Sequence, residues 1–300
     1  MVPGSQIVSG VVNAMKISVL TIVRGRQAHL ENQLKGLLQS EILPHEWVVV
    51  GMNQDVTLPD CQRFPIRISS VNHPTEPLPL AQARNHAASL CKTDGLVFLD
   101  VDCIPSPDMI GNMLNALQTE DRLWMGCPRY LPAEAAEDDW QMDHLQRLSV
   151  GHPLQPQLGE EKRQGSERYE MFWSLCFATS LSSFDQIGGF DDSFDGYGGE
   201  DTDFAFSARK AGVPFGFVNA VAYHQHHSVC KPPLNHLKPI VKNAERFHRK
   251  WGVWPMESWL NAFAERELIE FDKDADSITI HRMPTESEIQ KATSLTPAGF

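Results

Sequence analysis

Residues 80–102, LAQARNHAASLCKTDGLVFLDVD, decide the fold of this chain. The first part spaces its apolar residues as a helix does, and the second is a short apolar run, GLVFL, that ends in two aspartates. A helix feeding a strand that is apolar on both faces is the unit of a parallel sheet covered on both sides. The residues before it repeat the pattern. KISVLTIV (16–23) is rich in β-branched residues and reads as a first buried strand. HLENQLKGLLQS follows with Leu30, Leu34, Leu37 and Leu38 at helical spacing, then EWVVVGMNQ as a second strand and PIRISSV as a third. Strands and helices alternating at this interval predict an α/β fold whose mostly parallel central sheet is flanked by helices.

Downstream, PSPDMIGNMLNAL (105–117) reads as a helix whose Pro and Asp suit its first turn. Residues 128–170 carry scattered prolines and glycines and the acidic patch EAAEDD, which predicts a long irregular excursion with one helix near 137–149. Regularity returns with FWSLCFATSLSSFDQIGGF (172–190), a helix reaching Lys210 and the strand PFGFVNAVAYH (214–224). The expected organisation is a lead-in over 1–14, expected to be disordered, with Met15 as an alternative start. A domain over 15–255 follows, divided into halves 15–110 and 111–255, and then a C-terminal helix and polar tail over 256–300 with one short strand in SITIHRM. Residues 232–271 read as helical and carry Trp251, Trp254 and Trp259; they are expected to pack on the same chain.

The 26 basic and 38 acidic residues give a net charge of −12, which opposes binding to a phosphate backbone, and no basic stripe overrides it. Nucleic acid is therefore not an expected partner. Six scattered cysteines without a C-x-x-C pair fit a reducing compartment. No apolar run reaches the roughly 20 residues of a membrane span. A cytoplasmic location is the expectation.

Asp100 and Asp102 stand at the carboxyl end of a buried strand, where ligands bind in open α/β sheets. Alternation along a strand would turn both to one side. Hard oxygen donors suit Mg²⁺ or Mn²⁺, ions that often bridge to substrate phosphates. A second acidic feature is GFDDSFDGYGGEDTDFAF (189–206). Gly196, Gly198 and Gly199 permit a sharp turn and close backbone approach, and Glu200, Asp201 and Asp203 then open a helix. Acids in a first turn also complement the helix dipole, so capping competes with a ligand role, most of all for Asp203. The third feature is VAYHQHHS (221–228), where His224 ends an apolar strand and is the first choice for an imidazole ligand, with His226 second. H-x-H-H resembles part of a zinc-hydrolase signature but lacks the required aspartate.

Taken together and in order, these segments resemble the nucleotide-sugar glycosyltransferases of family 2 and their relatives with the GT-A fold, over residues 16–255. SVLTIVRGRQAHL is similar to the family's opening strand and turn, LAQARNHAA to its A-x-A-R-N helix, FLDVDCIPSP to its D-x-D strand, and GGFDDSFDGYGGEDTDF to its acceptor segment. AYHQ resembles the late metal-ligand histidine of chondroitin-type polymerases. The resemblance implies a metal-dependent, inverting transfer from a UDP-sugar to a saccharide or related hydroxyl, with galactose or N-acetylgalactosamine as the candidate donor sugars suggested by the acceptor segment. It implies Asp102 and His224 as ligands of Mn²⁺ or Mg²⁺, with Asp100 on ribose or metal. It implies Asp201 as general base and Glu200 holding an acceptor hydroxyl. Candidate nucleotide-sugar contacts are Ile22, Arg24, Asn53, Arg84, Asn85, Asp100 and Val101; candidate acceptor contacts are Trp173, Tyr197, Gly198 and Gly199. Arg26, Asp55 and Lys231 are further candidates for the base or phosphates.

Two departures stand out. The second strand ends in Gly51 and Met52, where the family carries an acidic pair for uracil and ribose, and the first ends Ile22-Val23-Arg24-Gly25 in place of Pro-Thr-Tyr-Asn. A sugar nucleotidyltransferase is the competing enzyme class, but RGRQAHL lacks its glycine-rich loop. A non-catalytic carbohydrate- or nucleotide-sugar-binding relative is the competing binding class, and it would be expected to lose Asp102, Asp201 or His224. A dinucleotide oxidoreductase is disfavoured by the absence of G-x-G-x-x-G.

Overall fold

The computed structural model describes residues 15–72, 77–137, 139–158 and 162–294. The predicted 1–14 lead-in and residues 159–161 of the excursion lie outside them. In chain order the elements of the first half are β1 Ile17–Val23, α1 Gln27–Leu38, β2 Glu46–Met52, β3 Ile66–Val71, α2 Leu80–Ser89, β4 Gly95–Leu99, β5 Cys103–Pro105 and α3 Met109–Thr119. Next come β6 Leu123–Tyr130, α4 Met142–Leu148, β7 Val150–Gly151, β8 Arg163–Ser166, β9 Cys176–Ser180, α5 Leu181–Ile187, α6 Glu200–Ala211 and β10 Phe215–His224. The remainder is β11 Val229–Cys230, α7 Leu237–Trp251, α8 Glu257–Ala264, β12 Ile269–Glu270, β13 Thr279–Ile280, α9 Glu286–Ala292 and β14 Thr293–Ser294.

The main sheet runs β3-β2-β1-β4-β9-β6-β10-β5. β1 pairs in parallel with β2 and β4, β2 with β3, and β6 with β10; β9 lies antiparallel between β4 and β6, so those two share one direction. Consequently the carboxyl ends of β1, β2, β4, β6 and β10 all emerge along one edge, the position at which α/β sheets bind ligands. β1, β2 and β4 are buried throughout, whereas edge strand β3 leaves Ile68 exposed.

β6 was not expected, because Gly126 and Pro128 interrupt its apolar pattern. Its glycine has a packing reason: a Cβ on Gly126 would stand 2.7 Å from the Ala220 carbonyl oxygen and 2.8 Å from Cys176 Sγ. The helix expected near 137–149 is shorter, Met142–Leu148. The C-terminal stretch is more than a polar tail: Thr285 and Glu288 cap α9 reciprocally, and β14 pairs with β11.

Two features position the functional edge. Gln33 of α1 is wholly buried and donates to the carbonyls of Asp100 and Cys103, at 2.7 and 2.8 Å, fastening the helix to the chain just past β4. Phe190 and Phe204, at either end of the glycine-rich segment, stack with centroids 4.2 Å apart and close it into a loop over a phenylalanine-rich core.

Candidate active site

Asp100 and Asp102 lie beyond β4, in a turn that returns the chain into β5, and the Asp102 amide donates to Asp100 Oδ1 at 3.1 Å. The turn, rather than strand alternation, brings the two acids together. Asp102 is buried and crowded by donors: His29 Nδ1 is hydrogen-bonded to Oδ1, Arg26 Nε lies 3.6 Å from Oδ1, and His227 Nε2 lies 3.3 Å from Oδ2. Burial alone would raise its carboxyl, but the His29 hydrogen bond and the Arg26, His224 and His227 charges bring it below the usual carboxylate range. Asp100 has less help; burial, then repulsion from Asp102, push it up to about 6.

Asp102, His224 and His227 each place a ligand atom within 4.8 Å of the others. One carboxylate oxygen and two imidazole nitrogens make a mixed donor set that fits Mn²⁺ better than the oxygen-demanding Mg²⁺. Burial drives His224 down to about 4, which keeps the ring neutral, as a ligand must be. Asp100 is outside this triad. His226, the second choice from the sequence, is outside it too, and its Nε2 is buried without a hydrogen-bond partner. β10 ends at His224, so strand alternation stops there and His227 is the residue that turns back beside Asp102.

The glycine-rich segment supplies the second acidic pair. Gly198 and Gly199 hold φ of 100° and 87°, and Gly199 caps α6. Glu200 is buried, receives the Gly198 amide at 3.1 Å and pairs with Arg84, Nη1 to Oε1 3.2 Å. Arg84 also donates to Ser174 Oγ at 2.9 Å and lies over the Phe190 ring. Asp201 receives the Thr202 amide at 2.7 Å. Burial raises both acids, with repulsion from Asp201 adding to the rise of Glu200. Asp203 belongs to the scaffold: it is buried, accepts Trp251 Nε1 at 2.7 Å and pairs with Lys250 at 2.9 Å, locking α6 to α7. Asn243, buried in α7, donates to the carbonyls of Asp195 and Gly198, so α7 also braces the glycine turn.

The other candidate residues are distributed as follows. Arg24 Nη1 donates to the Met52 carbonyl at 3.3 Å, and Asn53, at φ 53°, bonds its amide to Val71; both sit at the carboxyl ends of β1 and β2. Ile22 and Val101 bury their side chains in the core, so any contact they make with a ligand is through backbone. Asn85 is spent on the glycine-rich segment, exchanging hydrogen bonds of 2.8 Å with the Phe190 backbone and donating to Asp192. Trp173 is half-buried and packs edge-on against His152 at 4.5 Å. Tyr197 is 43% exposed and stacks with His236 and Trp259, at 4.9 and 5.8 Å. Lys231 is exposed.

His29 and His227 escaped the sequence reading. No motif marks His29, which lies 73 residues from Asp102 and reaches it from the first turn of α1.

The mixed sheet with its parallel strands ending along one edge, the Asp102, His224 and His227 group that could hold a metal, and the Glu200 and Asp201 pair together match the GT-A class of glycosyltransferase folds. The chain matches the model of glycosyl transferase family 2 over residues 18–187, more than half its length, and belongs to that family. Residues 155–228, which include Glu200 and Asp201, match the model described as the N-terminal domain of galactosyltransferase. The chain is 24% identical over 222 residues to validoxylamine A glucosyltransferase of Streptomyces hygroscopicus subsp. limoneus, covering 66% of the chain and 49% of that protein. It thus spans about half the length of the curated relative it matches. Among solved structures it resembles GalNAc-T7 with UDP, GalNAc and Mn²⁺ (TM-score 0.55, 16% identity, 85% of this chain and 51% of that one). It also resembles S. aureus TarS 1–349 (TM-score 0.50, 12% identity, 77% of this chain and 64% of that one). Both likenesses concern the fold. Among the described residues no helix is long and apolar enough to cross a membrane.

Proposed function

We propose that this protein is a metal-dependent, inverting glycosyltransferase that moves a sugar from a UDP-sugar to a hydroxyl of a saccharide or related acceptor. The observation that carries the reading is the approach of two acidic pairs, Asp100/Asp102 and Glu200/Asp201, to one stretch of chain: Arg84 reaches both Glu200 and Ser174 Oγ, and the Asp100 amide donates to the carbonyl of the next residue, Leu175, at 2.8 Å. Asp102, His224 and His227 would hold a divalent ion, most suitably Mn²⁺, whose chemistry when bound is to neutralise a diphosphate leaving group. His29 holds Asp102 in place from behind. Asp201 takes the proton from the attacking hydroxyl, an effect typically worth about 10²- to 10⁴-fold, and its raised affinity for a proton suits that task. Glu200, fixed by Arg84, orients the acceptor. With a base and a direct displacement, the anomeric configuration inverts.

GalNAc-T7 was solved with UDP and GalNAc, and the curated relative is a glucosyltransferase; galactose, N-acetylgalactosamine and glucose are the donor sugars to try first. The test is a panel of UDP-, GDP- and dTDP-sugars with Mn²⁺ or chelator, on wild type, Asp102→Ala and Asp201→Asn. The reading expects one UDP-sugar to bind and to be slowly hydrolysed only with metal. Asp102→Ala should abolish binding, and Asp201→Asn should keep binding while losing turnover. Absence of binding by every nucleotide sugar would instead favour the non-catalytic relative.

A further inference from the structure

A cavity of about 160 Å³ opens beside the site, lined by Cys127, Arg129, His152, Gln155, Asn219 and Val221 together with other residues of the 151–158 segment. Its composition is unusual for a chain of net charge −12: one guanidinium, an imidazole and carboxamides line it, and among the described residues no aspartate or glutamate does. Arg129 uses Nε and Nη2 on Ser149, at 2.8 Å to Oγ and 2.6 Å to the carbonyl, so the side chain is fixed while its charge goes uncompensated. Among the described residues no carboxylate forms a salt bridge with it. Gln155 Nε2 is buried in the same place without a hydrogen-bond acceptor. A buried amide donor left unpaired is destabilising, and a half-buried guanidinium lacking an anion adds to that cost. Both demands are met by one group that is anionic and accepts hydrogen bonds.

The cavity is joined to the catalytic edge through rings. His152 forms its wall, packs on Trp173 at 4.5 Å and lies 6.1 Å from Tyr130, whose ring is 5.1 Å from that of His224. Lys231 acts on His152 electrostatically, adding a second positive charge near the rim.

We propose that this cavity is an anion subsite for the acceptor, taking the carboxylate of a hexuronate unit on Arg129 Nη1 and Gln155 Nε2, with His152 and Trp173 beside the sugar ring. The inference rests on the glycosyltransferase reading and gives its acceptor a chemical class. A carboxylate matches two donors held on separate side chains, one oxygen to each. A sugar phosphate shares this chemistry and is the other source to distinguish. The volume admits the acid group and the carbon bearing it, but not a nucleotide.

The test is ligand-observed saturation-transfer NMR on the full chain with Mn²⁺ and UDP present. The probes are glucuronate and galacturonate, with glucose and galactose as neutral controls and glucose 6-phosphate and inorganic phosphate as the phosphate arm. The expected result is saturation of the uronates at least several-fold above the neutral sugars and above both phosphate probes. It should be lost in Arg129→Gln and in Gln155→Leu, and retained in Arg129→Lys to a reduced degree. Gln155→Leu fills the space without disturbing the Ser149 anchor, so it decides the matter if Arg129→Gln misfolds. Equal signals from acidic and neutral sugars, silence of every probe, or uronate binding untouched in Gln155→Leu overturns the proposal. So does a stronger signal from the phosphate probes, or displacement of the uronate by raising UDP. Metal-dependent donor hydrolysis, measured on the same samples, reports separately on the glycosyltransferase reading.

Discussion

Arg84 and Glu200 form an ion pair 116 residues apart in sequence, with Nη1 3.2 Å from Oε1 and both side chains only 7% exposed. The pair ties α2 to the first residue of α6 and so sets the distance between the two halves of the site. Removing one partner strands a buried charge, which costs about 3–5 kcal/mol. Arg84→Ala should therefore lower the unfolding free energy obtained from urea denaturation by an amount in that range. The double variant Arg84→Met with Glu200→Gln should recover most of the loss, since no charge is then left unpaired.

His29 is a positioning residue for Asp102. Supporting partners of metal ligands are commonly worth about 10- to 100-fold in affinity. If the proposed metal site is correct, His29→Ala should weaken Mn²⁺ binding by that factor in calorimetry, while leaving the unfolding free energy of the metal-free protein within about 1 kcal/mol of wild type.

His224 gives the metal-free protein a defined response to pH. Its folded value, about 4, is below the ordinary 6.5 because burial disfavours the cation. The unfolded chain therefore binds more protons between those values, and stability falls as pH drops from about 6.5 toward about 4. Urea midpoints measured across that window should show a shallower slope in His224→Gln than in wild type.

Gly198 has no room for a side chain. At φ 100° a Cβ would meet Met256 Sδ at 3.0 Å and an Ile240 side-chain carbon at 3.2 Å. Gly198→Ala should cost about 1–3 kcal/mol in backbone strain alone. Acceptor-dependent turnover should fall more than Mn²⁺ affinity, because the glycine turn carries Glu200 and Asp201 and none of the metal donors.

Much of this architecture was legible in the residues. The βαβ rhythm up to Asp102 is written in apolar periodicity, and the glycines ahead of Glu200 announced a turn onto a helix. Asp203 was expected as a helix cap in competition with a ligand role, and it is neither a cap nor free, because Gly199 takes the cap position and the carboxylate is held by Trp251 and Lys250 of α7. What the sequence concealed has physical causes. β6 has its strand pattern broken by Gly126, whose identity is dictated by Ala220 and Cys176 rather than by its own neighbours. His227 was hidden because periodicity applies only while the strand lasts, and β10 ends three residues earlier. His29 was hidden because a contact between a helix start and a distant turn leaves no local trace. The capping box of α9 was readable as T-x-x-E and marks order within a stretch that composition alone describes as a tail.

The donor triad joins Asp102, at the end of the first βαβ series, to His224 and His227, at the end of the last strand of the main sheet. An ion held there acts as a staple closing a loop of more than a hundred residues. Occupancy by metal would then report assembly: until the turn after β4 and the segment after β10 have folded against one another the three donors stay apart, and once an ion is bound, separating them would require giving it up. On the proposed function, a donor bridged by that ion would find its place only after the two halves of the sheet have come together.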